Sequence, residues 1–341
     1  MAENTQSPAV LIHEMSSGFI LSQALYAVAK LGVADFIRDG RSSIAELALA
    51  AGADEGVLYR VMRALAGFGV LHEEEGRFFS LTPAGQLLRS NHPQSLRHAV
   101  IFRCEENYDA FRALVHSVRT GENAFKRVFG APRFEYLKSN KEANASFQEG
   151  MKAITKADTS AILKAYDFSA FKTVVDVGGG NGALLSGILE QSPHLSAILF
   201  DQAATIELAR AGAGGQLRGC QLVAGDFFEA VPKGGDLYIL KSVIHDWPDE
   251  PSVTILRNCR VAMGEKGKLV VIDRIIGPPN QASYALIVDL TVLVEHGGQE
   301  RRQKEFEALF DQAGLKLVRV IETESSFYIM EAAAKNEKGT F

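Results

Sequence analysis

The sequence predicts an α/β fold, a doubly wound Rossmann-like sheet preceded by a helical, winged-helix domain. Three observations predict it. From Thr173 onwards, short apolar runs alternate with helical segments, the grammar of a parallel sheet with helices on both faces. The first run, Thr173 to Val177, leads into Gly178-Gly179-Gly180-Asn181-Gly182, where glycines let the backbone turn tightly beside a ligand. Before about Phe168 the apolar residues recur at helical spacing instead.

In the first half, Leu21, Leu25, Val28, Ala29 and Gly32 share one helix face, as do Leu58, Met62, Leu65 and Ala66. Between them, Ser42-Ser43-Ile44-Ala45-Glu46-Leu47 reads as an N-cap and its helix. Residues 69–73 and 77–81, around a polar turn at Gly76, read as a hairpin. Helices followed by a hairpin make a winged-helix pattern. Such a module can grip DNA through a helix in the major groove. Here helix 54–67 sets Arg60 and Arg63 against Asp54 and Glu55, and the chain carries a net charge of −5. We therefore expect no nucleic-acid partner, and a dimerisation and substrate-lid role instead. Residues 96–166 continue as helix, with Phe102, Tyr108, Phe111, Phe125, Phe129, Phe134, Tyr136 and Phe147 expected mostly in the core.

Composition narrows the class. A chain of 341 residues is comfortable for two domains and needs no staples to bury a core. Cys104, Cys220 and Cys259 are scattered, with no CxxC or Cys/His cluster, which argues against a disulfide framework and structural zinc. The start, MAENTQSPAV, lacks the charge and apolar core of a secretory leader, and the apolar stretch 19–37 is interrupted by Gln23, Lys30 and Asp35. A cytoplasmic protein with no membrane contact and no metal is the expectation.

In the second half, strands are expected at 173–177, 197–201, 220–223, 237–240 and 268–273, with helices at 183–190, 203–210, 252–263 and 304–313, the last closed by Gly314. Segments 315–321 and 327–332 follow with only a short turn between them and read as an antiparallel hairpin. A plain dinucleotide fold does not end that way. The seven-stranded methyltransferase sheet does.

The glycine loop alone does not identify its ligand. Gly178-x-Gly180-x-x-Ala183 also has dinucleotide spacing, and Asp201, about 20 residues on, suits ribose hydroxyls in either case. Three features favour S-adenosylmethionine over NAD. Asp176 would repel a pyrophosphate but can pair with the amino group of a methionine moiety. In Gly225-Asp226-Phe227-Phe228, a carboxylate and an aromatic ring suit an adenine, although Asp after Gly also forms turns. The third feature is the loop's place, mid-chain behind a helical domain, on a sheet that ends in a hairpin.

A candidate base follows the fourth strand, in Lys241-Ser242-Val243-Ile244-His245-Asp246-Trp247-Pro248-Asp249-Glu250. Ligands on open α/β sheets sit at the carboxyl ends of strands, which places His245 at the ligand edge. An acceptor hydroxyl must lose its proton as it attacks a sulfonium methyl, and imidazole is suited to take it. Either Asp273, ending the fifth strand, or Glu300 could orient the ring.

Together these residues resemble the plant-type and bacterial small-molecule O-methyltransferases, including the caffeate, flavonoid, acetylserotonin and antibiotic-tailoring enzymes. The resemblance runs from about Leu11 to Ala333, and DVGGGNG (176–182), GDFF (225–228), HDWPDE (245–250) and GGQERRQKEF (297–306) carry it. It implies a homodimer built through the N-terminal domain, His245 as base with Asp273 and Glu300 flanking it, and cofactor contacts at Gly178, Asp201, Asp226, Phe227 and Lys241. It also implies acceptor contacts at Phe147 and Met151. Asp273 stands where the plant enzymes usually carry Glu. Glu295-His296 replaces a loop one residue longer that holds a substrate-binding Asn, which makes His296 a candidate acceptor contact. The resulting division is a winged-helix dimerisation domain at 1–95, a helical linker and lid at 96–168, and an S-adenosylmethionine-binding catalytic domain at 169–341. The expected acceptor is a phenolic hydroxyl of a small aromatic or polyketide-like metabolite. The alternatives are C- or N-methylation, or a non-methylating reaction, on the same scaffold; an NAD-dependent oxidoreductase; and a winged-helix regulator.

Overall fold

The computed structural model describes residues 7–37, 40–212, 217 and 219–335. The leader reading at residues 1–6 lies outside them. The chain forms two compact units, one of Met1–Asp109 with Leu137–Ile154, the other of Ala110–Tyr136 with Thr155–Phe341.

The first unit opens with helix Pro8–Lys30, which buries Val28 and Ala29 but leaves Ile12, Met15, Phe19 and Ile20 exposed. Gly32 is not part of that helix face. It lies beyond the helix end at φ 68° and caps the next helix, Val33–Phe36, a conformation glycine adopts without strain. Helix Ile44–Ala51 starts at Ser43 with a capping box: Ser43 Oγ accepts from the Glu46 amide, and the Ser43 amide donates to Glu46 at 2.8 Å. Helix Glu55–Gly67 is capped by Asp54, which accepts from the Val57 amide. Strands β1 (Ser42–Ser43), β2 (Leu71–Glu74) and β3 (Phe78–Leu81) form an antiparallel sheet in the order β1-β3-β2. Leu47, Met62, Leu71 and Phe79 form its core with the helices. This is the winged helix the sequence predicts.

The second unit is the doubly wound sheet. Its strands are β4 (Thr173–Val177), β5 (Ser196–Asp201), β6 (Cys220–Ala224), β7 (Leu237–Lys241), β8 (Lys268–Asp273), β9 (Leu315–Glu322) and β10 (Tyr328–Ala334), in the order β6-β5-β4-β7-β8-β10-β9. Strands β4 to β8 are parallel, and β10 runs antiparallel between β8 and β9. Successive side chains of a strand point to opposite faces. Accordingly Val175, Tyr238 and Leu240 join one core layer with Phe306 and Phe310, while Val174, Leu237 and Ile239 join the other with Leu185 and Leu199. Burial on both faces explains why these strands read as largely apolar runs, with Asp176 the exception near the end of β4. Glu331, in the middle of β10, is buried but neutralised: Lys268 Nζ, Arg319 Nη2 and Tyr166 Oη donate to it at 2.6, 2.8 and 2.7 Å.

Helix Asp249–Met263 begins three residues before the expected Ser252, placing Asp249 and Glu250 in the first turn, where the helix dipole favours acidic side chains. A further helix, Tyr284–Glu295, precedes the Gly297-Gly298 segment. Among the described residues, no helix is long and apolar enough to cross a membrane.

Candidate active site

The carboxyl ends of β4, β5, β7 and β8 bring Asp176, Asp201, Lys241 and Asp273 to one edge of the sheet. Gly178 and Gly180 hold φ of 69° and 60°, a region that other residues enter only with strain. A Cβ on Gly179 would lie 2.5 Å from the Asp176 carboxyl group, so the loop passes too close for any other residue. The Gly180 amide donates to Asp201 Oδ2 at 2.9 Å, and the Gln202 amide to Oδ1 at 2.7 Å. The loop and the end of β5 are thereby tied together, with each Asp201 oxygen retaining one lone pair for a ligand.

Asp176 is buried, and neither of its carboxylate oxygens has a hydrogen-bond partner among the described residues. Burial pushes its carboxyl up to about 7; the Lys241 ammonium pulls the other way and the Asp201 charge adds to the rise. A buried carboxylate without donors is costly unless a cation or donor completes it. The amino group of a methionine moiety has that chemistry. Asp226 Oδ1 accepts from the Phe228 amide at 2.8 Å, so this Asp does form a turn while its other oxygen stays free of that bond. Phe227 is fixed beside Gly178 by edge-on packing on Phe228 and Trp247 and by Asn258, which donates to its carbonyl at 2.9 Å. The Lys241 ammonium lies 4.7 Å over the Phe327 ring. Burial lowers its pKa, Asp158, Asp273 and Asp176 oppose that, and Arg274 reinforces it.

His245 is buried in a short helical turn, Ile244–Asp246, after β7. Its Nδ1 donates to Glu300 Oε1 at 2.8 Å, whereas Asp273 Oδ1 lies 3.9 Å from the same nitrogen. Glu300 is therefore the direct hydrogen-bond partner of the ring and Asp273 a nearby carboxyl, as a side chain one methylene shorter than Glu would allow. The Glu300 amide donates to Asp289 Oδ1 at 2.8 Å, and Arg274 Nη1 sits 3.8 Å from Glu300 Oε1. Asp246 Oδ1 lies 3.5 Å from His245 Nε2, the nitrogen that has no hydrogen bond among the described residues. Burial by itself lowers the His245 pKa, but Asp273, Asp246 and Glu300 outweigh it and raise the imidazole to about 9. Asp273 is buried, neither oxygen has a hydrogen-bond partner among the described residues, and burial raises it to about 7 against the pull of His245.

His296 stacks on Phe134 at 4.9 Å and 20°, and its Nε2 lies 3.5 Å from Glu295 and 3.9 Å from Asp246. Glu295 in turn pairs with buried Arg133 at 3.2 Å. Phe147 and Met151 belong to the first unit, on helix Lys141–Ala165, where Phe147 packs edge-on against Phe102. Among the described residues, no group of three or more His, Cys, Asp or Glu is arranged to hold a metal ion.

Residues 111–316 match the family profile described as an O-methyltransferase domain, and residues 13–91 match the O-methyltransferase dimerisation domain. The chain belongs to the O-methyltransferase family. Phenazine O-methyltransferase PhzM of Lysobacter antibioticus is 43% identical over 97% of this chain and 99% of that relative. The crystal structure of LaPhzM superposes with a TM-score of 0.90 at 42% identity, covering 96% of this chain and 100% of the other. That of CalO1, a methyltransferase of calicheamicin biosynthesis in its S-adenosylhomocysteine-bound form, gives 0.86 at 36% identity, covering 96% and 98%. Like its family, this enzyme is an S-adenosylmethionine-dependent methyltransferase.

Several residues that shape this site were given no role of their own by the sequence, although Asp246, Gly298 and Arg301 lie in motifs that carry the resemblance. Asp246 faces both His245 and His296, and Phe134 holds the His296 ring. Gly298 and Arg301 pack directly on the His245 turn. Their sequence signal was membership of the GGQERRQKEF segment beside Glu300, which named the family but not what each side chain touches.

Proposed function

We propose that this enzyme methylates a phenolic hydroxyl of a small aromatic or polyketide-like metabolite, with His245 as the general base. The observation that carries this reading is the buried His245 ring, with Nδ1 fixed by Glu300 and Nε2 left to accept a proton. S-adenosylmethionine, when bound, supplies an electrophilic methyl group on a sulfonium. Asp176 would hold its amino group, Asp201 the ribose hydroxyls, Asp226 and Phe227 the adenine, and Gly178, Gly180 and Lys241 would complete the cofactor contacts. His245 Nε2 removes the acceptor proton while Glu300 and Asp273 stabilise the imidazolium that results. A base near 9 is well matched to a phenol near 10, since proton transfer between groups of similar pKa needs little driving force. The acceptor class is supported by the phenazine named for the relative PhzM. Phe147, Met151 and His296 are proposed acceptor contacts.

The same reading makes 1–95 a dimerisation domain, 96–168 a linker and lid, and 169–341 the catalytic domain. A homodimer is supported by the matched dimerisation profile and by the exposed Ile12, Met15, Phe19 and Ile20 on the first helix, an apolar surface that a partner subunit would cover. We place the enzyme in the cytoplasm, without nucleic-acid or membrane partners.

Methyl transfer from S-adenosylmethionine to a panel of phenols, catechols and polyketides, with product mapping, tests the acceptor. Transfer to nitrogen or carbon only would overturn the hydroxyl reading. Replacing Asp201 by alanine is expected to weaken S-adenosylmethionine binding about tenfold by calorimetry, the loss of one charge-assisted hydrogen-bonding group. Unchanged affinity would contradict the ribose assignment. Wild-type affinity should also rise as pH climbs towards about 7, because Asp176 must lose its proton before it can pair with a cation. A flat profile over that range would remove Asp176 from the amino-group contact.

A further inference from the structure

We propose that Arg301 is a positioning residue for the methyl-transfer site: it locks the turn carrying His245 to the segment carrying Glu300 and so sets the distance between the two side chains. The inference rests on the reading of His245 as base.

Arg301 is among the most deeply buried large side chains of the protein, at 1% exposure. Its guanidinium is spent almost entirely on the segment around His245. Nη1 donates to the Ile244 carbonyl at 3.1 Å, and Nη2 to the Trp247 carbonyl at 2.8 Å. These two carbonyls bracket His245 and Asp246. Nε and Nη2 both donate to Asp249 Oδ1, at 3.0 and 2.8 Å, and the same oxygen accepts from Gln299 Nε2 at 2.8 Å. The Gln299 amide adds a backbone bond to the His245 carbonyl at 2.9 Å.

The main chain of Arg301 makes a second connection. It bridges Ile275, and its carbonyl accepts from the Ile276 amide at 2.9 Å, just beyond Asp273 at the end of β8. One residue therefore joins the three segments that bear His245, Asp273 and Glu300. Each segment alone is a loop or strand end whose position would drift. A lysine could not substitute, because its single ammonium cannot reach two carbonyls and a carboxylate in a fixed plane.

The consequence is chemical as well as geometric. The groups facing His245 are Asp246, Asp273 and Glu300, with Arg274 beyond Glu300 and His296 across Asp246. Loosening the clasp withdraws Glu300 from Nδ1 and leaves the ring less basic. A side chain that merely stabilises the fold would lower the amount of active enzyme without altering how basic the remaining His245 is.

Arg301→Ala, Arg301→Lys and Asp249→Ala are to be assayed for kcat, for KM of S-adenosylmethionine, and for the pH dependence of kcat/KM. The expectation for Arg301→Ala is a fall in kcat of about tenfold or more, since a misplacement of about 1 Å can cost on the order of 10²-fold. KM for the cofactor should stay within about twofold, the rising limb of the pH profile should move to lower pH, and added guanidinium should restore part of the rate. Arg301→Lys should resemble the alanine variant. Asp249→Ala should move the limb in the same direction with a smaller rate loss; its side chain is 64% exposed, so it decides the matter if the Arg301 variants do not fold. A loss of rate with an unmoved limb, or wild-type kinetics in Asp249→Ala and Arg301→Ala, overturns the proposal. Full activity in His245→Ala would instead overturn the base reading beneath it.

Discussion

His245→Ala is expected to lower turnover by roughly 10²-fold or more, the lower range for loss of a general base, while S-adenosylmethionine affinity stays within about twofold. The reason lies in the separation of tasks on the sheet edge. The proposed cofactor contacts come from β4, β5, the loop after β6 and the end of β7, whereas His245 sits on the following turn and is held by Glu300. Removing the imidazole therefore deletes the proposed proton acceptor without touching Asp176, Asp201 or Asp226. The pH dependence gives the second half of the test. Burial lowers the imidazole pKa, but Asp273, Asp246 and Glu300 together raise it to about 9, so the neutral, basic form grows as pH rises through that value. In wild type, kcat/KM should climb with pH along a limb centred near 9. Asp273→Asn removes a charge 3.9 Å from Nδ1 and should move that limb to lower pH. A wild-type turnover in His245→Ala, or a limb that ignores Asp273, would take His245 out of the mechanism.

Much of the architecture was legible in the sequence because central parallel strands buried on both faces are built mostly from apolar residues, which leaves β4, β7 and β8 as short, largely apolar runs. The glycine loop was legible for a related reason, since left-handed Gly178 and Gly180 mark a tight turn at a strand end. The choice between Asp273 and Glu300 was not. It depends on the path of 297–301 relative to the 244–249 turn, and no local pattern encodes that path. Arg301 was hidden by expectation, because an arginine in a charged run beside Arg302 and Lys304 is ordinarily a surface residue and only the three-dimensional fold supplies its buried acceptors. Gly32 shows the opposite error. It falls in register with a helix face, yet its left-handed backbone ends the helical run before it. Helix Tyr284–Glu295 is apolar almost all round, with Asp289 its sole charge before Glu295, so periodicity could not separate helix from strand there.

The second large effect is expected at a residue with no side chain. A Cβ on Gly298 would lie 2.1 Å from the His245 carbonyl oxygen and 2.7 to 2.8 Å from backbone carbons of Asp246. The obstruction is backbone on a turn pinned by Arg301 and by the Gln299 amide, so no rotamer change relieves it. Gly298→Ala must push the His245 turn away from Glu300 or break the 2.9 Å bond from Gln299 to His245. A displacement of about 1 Å at a catalytic base is enough for a loss on the order of 10²-fold in kcat, and overpacking of this kind costs about 1–3 kcal/mol of stability. Neighbouring Gly297 separates the steric effect from backbone strain. It has φ of 78° but its nearest neighbour is the Asn123 amide nitrogen at 4.0 Å, so Gly297→Asn, a residue that tolerates left-handed backbone, should keep most of the turnover. Steady-state kinetics and thermal melts of the two variants make the comparison. Equal turnover in Gly298→Ala and Gly297→Asn would show that close backbone approach at 298 does not set the His245 geometry.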